Sequence, residues 1–261
     1  MPLYMAIGDI GELPLPRVEW NQMPSALAYR EFAPAPAFRP YIECYWSLRA
    51  LRHHPAYPVL PDGCADLLFT GGPELQMVGC MTVAREFALA EGSELFGVRF
   101  RPAMAALFVR APWPELTDQT MPAEGAKVLN EQIGAASHTE NRIAAVENWL
   151  RLVKNPGPVQ RILRCASPNT RIDELSRQAG LSARQLRRVF LAETGLTPKY
   201  LYRVLRFRRA IQKMPSTDLA SLALDAGFYD QAHFIHEFRQ FSGGHTPAAW
   251  QSEMADFSNP A

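Results

Sequence analysis

Several arginines recur at helical spacing within residues 180–195, and the chemistry that they suit is anion binding. Arg187 and Arg188 follow Arg184 by three and four residues, so a helix at this point displays all three on one face. Guanidinium groups this close repel each other unless an anion lies against them, and arginine binds both DNA phosphates and guanine edges. A solvated surface helix is the alternative interpretation.

The helix that carries these arginines is predicted from its ends and its apolar residues. Ser182 and Gln185 have the spacing of a capping box, which begins a helix. Leu186, Val189 and Phe190 then recur at i, i+3 and i+4, so one face packs on a core. The glycine at position 180 is suited to end a preceding helix, and the pair is typical of a helix-turn-helix.

The same arrangement occurs a second time further along the chain. Gly180 and Gly227 lie 47 residues apart, and each is followed by a predicted helix with two large apolar residues four positions apart. Thr197 and Pro198 begin a longer helix between the two units, as an N-cap and a first-turn proline. A repeat of this kind predicts an all-α double helix-turn-helix domain.

The first half of the chain has the pattern of a β-rich domain. Short apolar runs of strand length alternate with turn residues from about residue 27 to residue 100. Strands at this spacing predict a small barrel or sandwich with flanking helices, and a barrel can enclose a ligand. The predicted fold class is therefore α+β in two domains, with a β-rich N-terminal domain and an all-α C-terminal domain.

Charge is distributed unevenly along the 261 residues, although the net charge is only +1. Residues 155–261 carry 14 basic and 9 acidic side chains, whereas residues 1–154 carry 13 and 17. The basic half is the one suited to meet a polyanion. Because the sequence has no apolar run of membrane-span length and no signal-peptide pattern at its start, we expect a cytoplasmic protein with no membrane partner.

The other chemically reactive side chains are better explained as structure. His233 and His236 have the spacing of metal ligands on a helix, but no third ligand follows at a usual spacing. Asp62 and Asp66 resemble a catalytic acid pair, yet Pro-Asp-Gly is first of all a turn former. The four cysteines form no Cys-x-x-Cys pair. We therefore expect no catalytic residues, no metal and no cofactor.

Motifs in both halves carry a resemblance to a known family. The motifs of the C-terminal half are residues 175–182, Leu186 with Phe190, and residues 193–198, 226–228, 230–234, 238–241 and 246–247. With these motifs, residues 159–250 resemble the DNA-binding domain of the AraC/XylS family of bacterial transcription regulators. The segments that resemble the N-terminal domain of one subgroup of that family are residues 30–32, 40–46, 60–67 and 98–102.

The resemblance implies that two recognition helices enter the major groove of double-stranded DNA about one turn apart. Arginine and glutamine side chains on these helices would read guanine and adenine, and helix N-termini and the connecting helix would contact phosphates. RNA polymerase is a further partner that the resemblance implies. The predicted DNA-binding residues are Ser182, Arg184, Arg187, Arg188, Lys199, Arg203, Arg206, Asp230, Gln231, Ala232 and His236.

The acidic N-terminal domain is expected to bind a small molecule and thereby change the affinity for DNA. Strand alternation places Val98 and Phe100 inward and Arg99 and Arg101 outward. A pocket lined in this way favours a small apolar or aromatic effector. The predicted lining residues are Tyr45, Trp46, Leu67, Phe69, Phe96, Val98 and Phe100.

The predicted function is sequence-specific DNA binding by a transcription regulator, controlled by the effector or by dimerisation. An apolar stripe of Ile143, Val146 and Leu150 favours a homodimer, with packing on its own domain as the alternative. A repair-type enzyme with catalysis in the N-terminal domain and a constitutive architectural DNA binder are the alternative functions. The predicted divisions are a β-rich, cupin-like sensor domain (1–123), a helical linker (124–155) and an AraC-type double helix-turn-helix domain (156–261).

Overall fold

The computed structural model describes residues 27–150, 157–165, 170–214 and 218–251. The strands of the N-terminal half are β1 (Leu27–Phe32), β2 (Ile42–Ala50), β3 (His54–Val59), β4 (Ala65–Phe69), β5 (Gln76–Val78), β6 (Arg85–Leu89), β7 (Glu94–Phe100) and β8 (Thr120–Pro122). The α-helices of this half are α1 (Trp113–Leu116), α2 (Lys127–Ala135) and α3 (Thr139–Leu150).

Neighbouring strands pair antiparallel in two separate sheets. The larger sheet has the order β1-β2-β7-β4-β5-β8, and the smaller sheet pairs β3 with β6. Within the described residues, edge strands β1 and β8 do not pair with each other, so the larger sheet does not close on itself. The predicted α+β fold in two domains is confirmed, with two sheets in place of a closed barrel.

One face of the larger sheet packs on α2 and α3. Val98 and Phe100 of β7 lie in one apolar cluster with Val146 and Leu150 of α3, and Ile143 packs against that cluster. The stripe predicted as a dimer contact is therefore part of this domain's own core, because Val146 and Leu150 are no more than 1% exposed. The predicted division near residue 155 falls among residues 151–156, which lie outside the described part of the chain.

On the opposite face of the larger sheet, the Trp46 side chain lies across a glycine. Trp46 of β2 pairs in register with Gly97 of β7. A Cβ atom built on Gly97 would lie 2.1 Å from the Trp46 ring, so the indole occupies the space that a side chain would need. This close approach leaves room on the outer side of the indole, between the two sheets.

The C-terminal half is helical, as predicted. Its helices are α4 (Pro158–Cys165), α5 (Ile172–Ala179), α6 (Ala183–Thr194), α7 (Pro198–Lys213), α8 (Leu219–Ala226) and α9 (Gln231–Phe241). Gly180 and Gly227 end α5 and α8 with left-handed φ values of 64° and 91°. Ser182 and Gln185 form the predicted capping box at the start of α6. None of the described helices combines the length and apolar composition needed to cross a membrane.

Helix α7 contributes side chains to the cores of both helix-turn-helix units. Leu201 and Tyr202 pack with Leu186 of α6 in the first core. Phe207, one turn and a half further along, packs with Phe238 of α9 in the second core. A single helix therefore fixes the two units relative to each other.

Candidate nucleic-acid interface and inter-domain cavity

The arginine-bearing face of α6 is exposed. Leu186 and Phe190 on the opposite side are fully buried, so packing of the first unit directs Arg184, Arg187 and Arg188 outward. Within the described residues, no carboxylate lies within 4.0 Å of these three guanidiniums. The helix thus presents three positive charges that form no ion pair with the part of the chain that the structure describes.

The exposed face of α9 is polar and begins at a capped N-terminus. The Asp230 carboxylate accepts a hydrogen bond of 2.7 Å from the backbone N–H of His233. Gln231, Ala232 and His236 are exposed beyond this cap, whereas the His233 ring packs against the preceding turn. Among the residues that the structure describes, no group of three or more His, Cys, Asp or Glu side chains is placed to hold a metal ion.

The predicted phosphate-binding residues on α7 differ in whether they already bond to other side chains of the protein. Lys199 is exposed. Arg203 instead donates two hydrogen bonds of 2.8 Å to the Glu237 carboxylate, and its guanidinium lies 5.2 and 5.3 Å from the ring centroids of Tyr200 and Phe241. Arg203 therefore bridges α7 and α9. Its positive charge, which the sequence predicted would contact a phosphate, is paired with the buried Glu237 carboxylate instead.

Arg206 and Ser182 are also partly engaged within the domain. The Arg206 guanidinium lies 5.8 Å from the ring centroid of Phe228, and burial lowers the pKa of Arg206 from its ordinary value. The Ser182 hydroxyl accepts from the backbone N–H of Gln185. Both residues remain next to the exposed helix faces that the sequence predicts as the DNA surface.

A short element of the N-terminal domain lies against the exposed face of α6. Helix α1 packs with Cα atoms within 8 Å of α6, and the Thr117 hydroxyl donates a hydrogen bond of 3.1 Å to the carbonyl oxygen of Gly195. Pro114 of α1 borders the same surface recess as Arg187 and Arg188. The N-terminal domain thus reaches the face of α6 that carries the arginines.

A cavity of about 400 Å³ lies between the two sheets and α7. Trp46 and Arg99 of the larger sheet and Tyr57 of the smaller sheet line it, and Phe207 and Arg208 of α7 close one side. Cavities of this volume accommodate small organic ligands, and sites of this kind occur preferentially between domains. A molecule in this cavity would contact both halves of the chain.

The sequence predicts a ligand pocket on the face of the larger sheet that carries Val98 and Phe100. The cavity lies on the opposite face. Trp46 is the one predicted lining residue that borders it. Arg99 lies on the face opposite to Val98 and Phe100, as strand alternation predicts. This outward face is not open to solvent, because strands β3 and β6 and helix α7 cover it and leave the Arg99 side chain 19% exposed. The remaining predicted lining residues belong to the packed core against α2 and α3, and they are Tyr45, Leu67, Phe69, Phe96, Val98 and Phe100.

Arg99 lies among three carboxylates at the cavity wall. Its Nε atom is 3.5 Å from Asp62 Oδ2 and 3.4 Å from Asp66 Oδ1. Its Nη1 atom is 3.9 Å from Glu31 Oε1. Burial raises the pKa of Asp66 to about 6, although the positive charge of Arg99 acts in the opposite direction. The two aspartates singled out in the sequence therefore form a charged part of this wall.

Arg208 of α7 makes the ion pair that joins the two domains beside the cavity. Its Nη2 atom donates to Glu43 Oε1 at 3.0 Å, and its Nη1 atom donates to Cys64 Sγ at 3.3 Å. The Arg208 side chain is 10% exposed. Glu43 also pairs with Arg101 at 3.3 Å. A helix of the DNA-binding half is thus fixed to the sheet by a buried charge.

Comparisons with known proteins agree with the geometry of the helical half. Residues 175–253 match a family described as a helix-turn-helix domain. A transcriptional regulator from Chromobacterium violaceum, described among AraC-type DNA-binding domain-containing proteins, is 30% identical, and the match covers 35% of this chain and 80% of that one with a TM-score of 0.30. The chain belongs to the AraC family. The resemblance predicted from the sequence is confirmed, and the helical half of this regulator is a DNA-binding domain.

Further matches extend into the N-terminal half of this AraC-family chain. Residues 30–122 match a domain of unknown function, DUF6597. A structure of ToxT from Vibrio cholerae is 9% identical, covers 87% of this chain and 97% of its own, and has a TM-score of 0.43. A structure of ToxT bound to an unsaturated fatty acid is 10% identical. The match covers 87% of this chain and 95% of that one, with a TM-score of 0.38. No curated protein matches the chain.

The residues that join the domains of this AraC-family regulator were not predicted from the sequence. Arg208 belongs to the run of basic residues on α7, and its partner Glu43 lies 165 positions away in the chain. No local pattern links residues so far apart. A signal did exist for the charged wall of the cavity, because Asp66 and Arg99 interrupt apolar strands at positions of the same parity as Leu68 and Gly97.

Proposed function

We propose that this AraC-family regulator reads a specific DNA sequence with α6 and α9, and that a small molecule in the inter-domain cavity controls its affinity for DNA. The observation that carries the proposal is the position of α7. This helix joins the two helix-turn-helix units and also lines the cavity with Phe207, Arg208 and Ile211. A molecule in the cavity would therefore contact the helix that holds both recognition helices in place.

Base reading is assigned to the exposed faces of the two recognition helices. On α6, Arg184, Arg187 and Arg188 are suited to guanine, whose O6 and N7 atoms accept two hydrogen bonds from one guanidinium. On α9, Gln231 suits adenine, and His236 can donate or accept a single bond. The remaining assigned contacts, most of them to phosphates, are Ser182, Lys199, Arg206, Asp230 and Ala232.

The position of α1 supports a closed state with low affinity for DNA. A major groove is about 12 Å wide and admits one helix, and α1 lies within 8 Å of α6 with Pro114 on its arginine side. Helix α6 therefore enters a groove fully only after α1 has moved away. Because both domains line the cavity, a ligand that fills it stabilises the closed arrangement. We expect such a ligand to weaken DNA binding.

A substitution at Gly195 that displaces α1 from α6 tests whether α1 opposes DNA binding. A Cβ atom on Gly195 would lie 2.3 Å from the carbonyl oxygen of Trp113 and 2.2 Å from Oγ1 of Thr117, so Gly195→Ala forces α1 away from α6. Gly180 provides the matched control. Its φ of 64° is close to the 72° of Gly195, and no atom outside its chain neighbours lies within 4 Å of its Cβ position. The two alanine variants share the backbone strain, and only one displaces α1.

The measurement is the affinity of each full-length variant for DNA enriched on the wild-type chain from a randomised double-stranded pool. We expect Gly195→Ala to bind roughly threefold to tenfold more tightly than Gly180→Ala, in the range of ordinary couplings between sites. Equal affinities of the two variants would show that α1 does not oppose DNA binding. Failure of the wild-type chain to enrich any sequence would contradict sequence-specific reading.

A further inference from the structure

The inter-domain cavity has an excess of negative charge. The ionisable side chains that line it include four carboxylates but only two guanidiniums. The carboxylates belong to Glu31, Glu43, Asp62 and Asp66, and the guanidiniums belong to Arg99 and Arg208. Glu43 is compensated by Arg208 and Arg101, so the excess lies where three carboxylates surround Arg99. We infer that the cavity binds an amine cation that carries an aromatic body. This inference rests on the proposed function, in which the cavity is the effector site.

The arrangement around Arg99 leaves acceptor groups for a ligand N–H. Three carboxylates share this one guanidinium at 3.4–3.9 Å, whereas charge-assisted hydrogen bonds measure about 2.7–2.9 Å. The buried Asp66 Oδ1 atom is 3.4 Å from Arg99 Nε, which is longer than a charge-assisted hydrogen bond. Glu31 Oε1 also accepts from the Tyr29 hydroxyl at 2.6 Å, and Asp62 Oδ1 accepts from the backbone N–H of Cys64 at 2.8 Å. Each carboxylate has further lone pairs, which an ammonium group with three donors could bond.

Aromatic side chains form the wall next to this acidic cluster. The rings of Tyr29 and Trp46 are stacked with centroids 6.3 Å apart, and Tyr57 lines the cavity from the smaller sheet. Trp46 is 9% exposed. Aromatic faces attract ammonium groups and also pack against a flat apolar body. The wall therefore suits both parts of an aromatic amine.

Anionic and neutral ligands fit the cavity less well. An anionic ligand that approaches Arg99 would meet the carboxylates of Glu31, Asp62 and Asp66. Their three negative charges exceed the single positive charge of Arg99 and would repel the ligand. Arg208, the second guanidinium of the lining, is already paired with Glu43. A neutral molecule gains the aromatic contacts but leaves the excess negative charge uncompensated. Charge complementarity thus selects the cation.

Three probes with the same indole body and side-chain length test the inference on the full-length chain. Tryptamine is the cation, indole-3-propionate is the anion and tryptophol is the neutral alcohol. Isothermal titration calorimetry gives the affinity of each probe. We expect tryptamine to bind at least roughly tenfold more tightly than either of the other two.

Matched variants locate the binding. The double substitution Glu31→Gln and Asp62→Asn should weaken tryptamine by about tenfold and leave tryptophol unchanged. Glu94→Gln is the control, because Glu94 pairs with Arg49 at the surface and lies outside the cavity. Gly97→Ala pushes the Trp46 ring toward the cavity and should weaken all three probes.

The outcomes separate the ligand class from the proposed function. Tighter binding of indole-3-propionate, equal binding of tryptophol, or binding of none of the three overturns the inference about an aromatic cation. If the double variant unfolds, Glu31→Gln alone replaces it, and an unchanged tryptamine affinity then counts against the inference. Tryptamine that binds as expected but leaves DNA affinity unaltered supports the ligand class and contradicts control of DNA binding from this cavity.

Discussion

The two helix-turn-helix units share an architecture but differ in what their recognition helices present and in what holds them. Helix α6 presents three exposed arginines and lies against α1 of the N-terminal domain. Helix α9 presents Gln231, Ala232 and His236, and its buried Glu237 is bound by Arg203 of α7. Under the proposed function, the first unit thus combines the stronger base-reading chemistry with the contact that we expect to be regulated.

The difference suggests that the first unit reads bases and that the second unit positions the protein on DNA. Arginine reads guanine with two hydrogen bonds, whereas an exposed alanine and histidine offer little discrimination between bases. The bridge between Arg203 and Glu237 holds α9 firmly on α7, which suits a helix that positions the protein on DNA. We expect variants of the second unit to change stability most, and variants of the first to change sequence selectivity most.

The largest expected effect follows from Glu237→Ala. This substitution leaves the Arg203 guanidinium between the rings of Tyr200 and Phe241 without its carboxylate, and Glu237 is 5% exposed. Breaking a buried ion pair costs about 3–5 kcal/mol, and because Arg203 keeps partial contact with solvent we expect a loss of about 2–4 kcal/mol in the free energy of unfolding. Urea unfolding followed by circular dichroism measures it.

The control for this variant is Glu94→Ala, whose partner Arg49 is exposed. Both side chains of that pair are more than half exposed, so its removal should cost less than about 0.5 kcal/mol. A loss below about 1 kcal/mol for Glu237→Ala would mean that the second unit is held by its apolar core alone.

A smaller effect is expected from the base-reading residues. Arg188→Ala should weaken binding to the enriched DNA by about 1–3 kcal/mol and relax the preference at one base pair. His236→Ala should cost less than about 1 kcal/mol, because a single exposed bond discriminates weakly. Fluorescence anisotropy on enriched and scrambled duplexes separates reading from general attraction. Equal losses on both duplexes would remove Arg188 from the base-reading residues, and a larger loss for His236→Ala would reverse the comparison.

The smallest effect concerns the helix caps, which the two units have in common. Ser182→Ala and Asp230→Ala each remove a side chain that accepts a hydrogen bond from the backbone of the following helix. We expect each to lower the free energy of unfolding by about 1 kcal/mol, and Asp230→Asn to retain most of that stability. Thermal and urea unfolding measure these differences. A cap effect confined to one unit would show that the other helix start is fixed by tertiary contacts.

The C-terminal helices could be predicted because their signals are local. The capping box of Ser182 and Gln185 and the left-handed glycines at 180 and 227 act within one turn of the chain, and the structure has each of them in place. The apolar residues between the caps also repeat at helical spacing. The pairing of Arg203 with Glu237 could not be predicted in this way, because it joins residues 34 positions apart.

The cavity could be predicted only in part. Strand alternation correctly separated Val98 and Phe100 from Arg99, but alternation does not tell which face the helices will cover. The apolar face was expected to bind the ligand, and it is instead filled by α2 and α3. The outer face holds the cavity because α7 and the smaller sheet cover it, and that packing involves contacts between distant parts of the chain.

The shared helix α7 has a consequence for the operator. Because one helix contributes to both cores, the protein sets the distance and the rotation between its recognition helices. Adjacent major grooves on one face of DNA recur about every 10.5 base pairs, or roughly 34–36 Å. One base pair inserted between the two half-sites turns the second half-site by about 34° around the duplex axis. Since the rigid spacing of α6 and α9 cannot follow that rotation, the helical phase of the half-sites is expected to matter as much as their sequence.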